Sequence, residues 1–194
     1  MTFILKDGKT GTTAEVDVNN KLKTASTSET TSTFASNNGD LFNINPGTIT
    51  LTSANSSALL YMSNTDTQNW VFTRVFFHAM ASTGGTGDWL AEVIANATAG
   101  TLISAGTAFA PDNLNFGSAK TLTSATLKGA EGSTITDGEV RAEFLIPVVG
   151  TRNLVAFDSV IVQPGASIAI RITPPAGNTS LDVQVGFNLH RVVI

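Results

Sequence analysis

Chemistry in this sequence could reside in two histidines, one pair of glutamates, a run of glycines and three large aromatics. His78 stands in an aromatic-rich run beside Phe76 and Met80, and His190 is expected on the polar face of the last strand. Nucleophilic catalysis would need a hydroxyl and a carboxylate within hydrogen-bond reach of one imidazole. The sequence contains no Gly-x-Ser-x-Gly elbow, and each histidine reads as structural. Glu139 and Glu143 flank Arg141, and a strand over these residues predicts all three on one face. Paired carboxylates serve glycoside hydrolysis, but two glutamates with a cation between them are the pattern of a solvated face. Asp112 and Asp137 read as turn residues, and Asp66-Thr67-Gln68 does not follow the spacing of a calcium loop. Gly84-Gly85-Thr86-Gly87 resembles a phosphate loop but lacks the following Lys-Ser/Thr, so a hairpin turn is expected there. Asn55, Asn96 and Asn178 open Asn-x-Ser/Thr triplets, which chance supplies in a chain so rich in these residues. The expectation is a chain with no catalytic residue, no cofactor and no metal site. Tyr61, Trp70 and Trp89 keep one binding reading open, because exposed aromatics stack on sugar rings. Both tryptophans begin hydrophobic strands, however, where they are expected to seal the end of a core.

The elements that would position these residues read as strands. Residues 47–52 alternate after a turn at Asn45-Pro46-Gly47, and residues 58–62 form a second short apolar run. Residues 70–80 are the longest hydrophobic segment. Val71, Val75, Phe77 and Ala79 are predicted on one face, with Phe72, Phe76 and Met80 on the other. Apolar residues on both faces predict a central strand, or one whose outer face meets a neighbouring subunit. The stretch from Gly100 to Gly138 carries turn signals around short segments, compatible with a long loop or a short helix. Near the C-terminus, Leu181, Val183, Val185, Phe187 and Leu189 alternate with polar residues and glycine, the signature of a strand with one buried face. About eight to ten strands separated by Gly, Pro and Asn turns define an all-β fold, an antiparallel β-sandwich, and jelly-roll-like in preference to the smaller immunoglobulin type.

Residues 1–40 differ from the β-sandwich domain expected over residues 41–194. They carry a Thr/Ser run between Thr24 and Thr33 and few apolar residues. Ordering each residue costs roughly 1–2 kcal/mol, so this segment is expected as an extended N-terminal arm that lies on another surface. Val16, Val18, Leu22 and Phe34 are its candidate contacts to a capsid or to sister subunits. Fully extended, forty residues reach on the order of 130 Å.

Of the 194 residues, 13% are charged, about half the usual share. Small polar residues take their place, and these suit surfaces packed against other protein better than long charged side chains do. The net charge of -4, with no basic run, argues against nucleic acid as a partner. The absence of cysteine removes disulfides and thiolate sites and points to maturation in a reducing cytoplasm. No segment is apolar for long enough to be expected to span a membrane, and the apolar patch within residues 1–8 is too short to be expected as a signal peptide.

The N-terminal third resembles small virion structural proteins of tailed bacteriophages. The resemblance rests on Asp7-Gly8-Lys9-Thr10-Gly11, residues 18–24, a polar stretch with Glu29, Gly39-Asp40-Leu41-Phe42-Asn43-Ile44, and residues 47–52. It implies a non-enzymatic capsid decoration or cement protein on the outer surface of a phage head, often a homotrimer. The major capsid protein of the same particle would be its partner, and the host cytoplasm its place of synthesis. The alternative is a receptor- or carbohydrate-binding module of a head fibre, tail tip or tail fibre.

Overall fold

The computed structural model describes residues 31–147 and 152–192, with the strands at 5–6, 13–16 and 22–23; side chains are described over 33–147 and 160–192. The chain divides into two compact units, residues 1–31 and 32–194. In the first, strands β1 (Leu5–Lys6), β2 (Thr13–Val16) and β3 (Leu22–Lys23) form a three-stranded antiparallel sheet in the order β1-β2-β3. Val16 stands opposite Leu22; Val18 lies outside the described residues.

The boundary expected after residue 40 falls instead between Thr31 and Ser32. Helix α1 (Thr31–Asn37) replaces extended chain at this junction. Its end is fixed by backbone hydrogen bonds from Gly39 N to Ser36 O and from Asp40 N to Ala35 O, the paired closure of a Schellman motif. Gly39 takes φ +71°, and a β-carbon there would collide with the Ser118 side chain. Ala35 is buried, and Asn115 Nδ2 donates to Ser36 O at 2.9 Å. These contacts hold residues 32–40 to the second unit.

That unit is a sandwich of two antiparallel sheets. Its strands are β4 (Leu41–Ile44), β5 (Ile49–Leu51), β6 (Ser57–Asn64), β7 (Asn69–Thr83) and β8 (Trp89–Ala95). There follow β9 (Thr107–Ala108), β10 (Asp112–Asn113), β11 (Ser124–Lys128) and β12 (Glu139–Ile146), then β13 (Arg152–Val162), β14 (Ser167–Thr173) and β15 (Ser180–Val192). The first sheet runs β10-β4-β15-β7-β13, with β5 also on β15, and the second runs β12-β8-β14-β6-β11-β9. With β5, β9, β10 and β11 set aside, the strands pair as one long ribbon folded back on itself. The first, β4, pairs with the last, β15; then β6 with β14, β7 with β13 and β8 with β12, all antiparallel. Two further pairings, β15 with β7 and β14 with β8, wrap the ribbon into facing sheets.

The core between the sheets takes Phe42, Ile44, Phe72, Phe77, Val185 and Phe187 from one side and Leu60, Trp89, Ile170 and Ile172 from the other. Phe72 and Phe187 meet edge to face at 4.9 Å, a favoured aromatic geometry. The second sheet is buried on its outer face as well. There Ala58, Tyr61, Ile94 and Ala169 pack under Ala97, Leu102 and Ile135. The excursion over residues 96–138, with helix α2 (Thr101–Ala105), is therefore a cover, which explains apolar residues on both faces of β6.

Two β-bulges re-aim β7. Asn188 stands opposite Arg74 and Leu189 opposite Phe72, which leaves Thr73 unpaired with β15; Val183 opposite Ala79 and Asp182 opposite Ala81 leave out Met80 in the same way. Each extra residue reverses the alternation of side chains. Phe72, expected on the face of Phe76 and Met80, is thereby turned into the core beside Phe187. A third irregularity, at Arg141 between Val140 and Ala142, sets Glu143 opposite Glu92. Glu139, Arg141 and Glu143 do not share one face as simple alternation predicts.

Candidate functional site

Between the two bulges of β7, the outer face of the first sheet forms a concave polar surface. Asn43 of β4, Asn188 of β15 and Arg74 of β7 lie in register across three strands, and Gln184 stands opposite His78 in the next row but one. Gly186 occupies the row between and stands opposite Phe76. A β-carbon at Gly186 would collide with the Phe76 ring and with Ile44 O. Glycine is what lets the ring lie across β15. The resulting cleft has a volume of about 420 Å³ and is bordered also by Asn45 and Leu114, a size within the roughly 300–1,000 Å³ of small-molecule sites.

Part of its polar lining is fixed in place. Asn45 Oδ1 accepts from Gly47 N at 2.8 Å, and Gln184 Nε2 donates to Thr48 Oγ1 at 3.0 Å. Among the described residues no carboxylate borders the cleft. Arg74 is exposed and forms no ion pair among the described residues.

A second cleft, of about 390 Å³, opens between β12 and β13, the terminal strands of the two sheets. Phe72, Val93, Ala142, Val160, Ile168 and Phe187 line it, so it leads from the sandwich edge into the core. Each of these strands carries exposed apolar side chains: Val140 and Leu145 on β12 (Leu145 71% exposed) and Ile161 on β13 (56%).

The residues singled out for chemistry are dispersed. Trp70 and Trp89 are fully buried and Tyr61 is covered by the 96–138 excursion, so none of the three offers a stacking surface. His190 was expected on the polar face of β15, yet it is 5% exposed, with no partner for Nδ1 among the described residues and a pKa lowered by burial. His78, by contrast, borders the polar cleft. Arg141 pairs with Glu139 at the surface at 2.7 Å. Arg171 holds the buried Glu92 through two bonds of 2.6 and 2.7 Å. Asp137 accepts from Thr98 and Ala99, and these hydrogen bonds, led by that from the Thr98 hydroxyl, hold its carboxyl below the usual range. Asn178 is buried and donates to Leu51 O and Ser53 O. The Gly84–Gly87 turn links strands of different sheets and so is a crossing loop, not the expected hairpin. Of the candidate arm contacts, Phe34 is 62% exposed on α1. Among the described residues no cluster of three or more His, Cys, Asp or Glu could hold a metal ion, and no helix is long and apolar enough to cross a membrane.

The cleft residues Asn43, Arg74, Gln184 and Asn188 escaped sequence reading. Alternation along β4 and β15 marks Asn43, Gln184 and Asn188 as outward, but only the pairing of the first strand with the last brings them together. Comparisons with protein-family models, curated proteins and solved structures find no match to this chain.

Proposed function

We propose that this chain is a non-enzymatic assembly protein built on a jelly roll. Its particular role in this reading is that of a capsid decoration protein, which binds the outer surface of a phage head and stabilises it. The strand order supports the jelly-roll assignment: a ribbon pairing first strand with last, wrapped into two facing sheets, is the plan of eight strands in two Greek keys.

The observation that carries the assembly role is the open side of the sandwich. The edges β12 and β13 both end their sheets, and they present Leu145 and Ile161 to solvent. Unpaired edges with exposed apolar residues are templates for association unless charge or cover protects them. The occupants proposed are sister copies in a homotrimer and the major capsid protein. Residues 1–31, a separate unit, serve as the attachment element.

Two measurements test the reading. Sedimentation velocity of the full chain should give a trimer, which Leu145→Glu with Ile161→Glu reduces to monomer while the far-ultraviolet spectrum is kept. Purified virus particles should contain the protein in hundreds of copies at repeated lattice positions. A monomeric wild type that is absent from particles would overturn the proposal.

A further inference from the structure

We propose that the polar cleft on the outer face of the first sheet binds a saccharide, and that it selects a sugar bearing a carboxylate. This goes beyond the assembly role and rests on different residues.

The chemistry of the lining identifies the ligand class. Asn43, Asn45, Gln184 and Asn188 surround the cleft, and each primary amide offers both donors and an acceptor. Sugar hydroxyls need that combination, since each hydroxyl both donates and accepts. Asn45 and Gln184 are already oriented by Gly47 and Thr48, which reduces the ordering cost of binding. The side chains of Asn43 and Asn188 make no hydrogen bond to the described residues and lie in one cross-strand row with Arg74. Phe76, laid across Gly186, and Leu114 supply apolar surface for the C–H face of a pyranose ring.

Charge narrows the class. Among the described residues of the lining Arg74 carries the one formal charge, with His78 as a second nitrogen group. A guanidinium at the rim fits one carboxylate through two parallel hydrogen bonds. The net charge of -4 disfavours a nucleic acid backbone, which takes several cations. An extended peptide adds to a strand with a free edge, yet β7 and β15 are both paired on either side. The cleft is therefore closed to strand addition and open to a compact polar ligand.

The test titrates the full chain with methyl β-glucuronide and N-acetylneuraminic acid, with methyl β-glucoside as the neutral control, while nuclear magnetic resonance follows the His78 ring. Saturable shifts for an acidic sugar within about 10 mM, the millimolar range of a single shallow site, are expected, with the neutral sugar weaker by about tenfold. Arg74→Ala should abolish that difference, and Asn43→Ala with Asn188→Ala should weaken both sugars, with unchanged melting temperatures showing intact folds. No saturable shift from any of these sugars would overturn the proposal. Binding that ignores Arg74 would overturn its selectivity.

Discussion

Gly186 and Phe76 form one unit, because the ring occupies the space a methyl group would need. Gly186→Ala should therefore cost about 1–3 kcal/mol, read as a lowered denaturant midpoint, and should displace the ring from the cleft floor. Two ionisable groups, the buried His190 and the half-buried Asp40, predict distinct acid sensitivities. His190 is kept neutral by burial, with its pKa lowered from 6.5. The unfolded chain takes up that proton first, so stability present above about pH 6.5 declines as pH falls toward the lowered folded value. Burial alone would raise the pKa of Asp40, but hydrogen bonds and charges from Lys120 and Arg191 outweigh it and bring the value below 3.8. Its contribution is thus complete above the unfolded value and is lost as pH falls below 3.8 through the folded value. Urea midpoints measured from pH 7 to pH 2 should fall in two ranges; His190→Gln should flatten the upper decline and Asp40→Asn the lower.

At the scale of elements, the bulge at Thr73 decides which side chains of β7 reach the core. Deleting Thr73 should turn Trp70 and Phe72 outward and cost more than about 4 kcal/mol, the range of severe core disruption. Loss of the near-ultraviolet signal would register it. On the second sheet, Arg171→Met strands Glu92 without its cation and opposite Glu143. A loss of about 3 kcal/mol is expected, at the low end for a buried pair because Arg171 is 29% exposed. Adding Glu92→Leu should recover most of the loss, and a double-mutant cycle checks this. These elements also show what a sequence can reveal. The alternation of β15 is readable because a single face meets the core, and Ile168, Ile170 and Ile172 announce their strand in the same way. A bulge has no such mark: nothing in Val71-Phe72-Thr73-Arg74 distinguishes an alternating strand from one that slips by a residue. Helix α1 was hidden in a Thr/Ser run of low helix propensity, although Asn38-Gly39 carries its stop signal.

For the whole molecule, residues 32–194 form one compact unit whose core, among the described residues, runs from Phe42 to Leu189. Residues 32–194 expressed alone should melt within a few degrees of the full chain, as calorimetry would show. Folding should be slow for the size, on the order of milliseconds to seconds, because the outermost pair joins chain segments far apart in sequence; stopped-flow refolding measures it. The polar cleft is a product of that same long-range pairing, which explains why its residues are unremarkable in sequence. At the open end of the ribbon, Arg191 N donates to Asp40 O, and the Arg191 guanidinium grips the Asp40 carboxylate at 2.7 Å. This clasp has a mechanical meaning. Asp40, immediately before β4, and Arg191, on β15, sit side by side at the end of an antiparallel pair, so a load pulling them apart would break the β4–β15 ladder one bond at a time. A load along either strand alone would instead shear many bonds together. The second unit should yield easily to tension applied across Asp40 and Arg191 and resist it strongly when held through one of them and the sheet face.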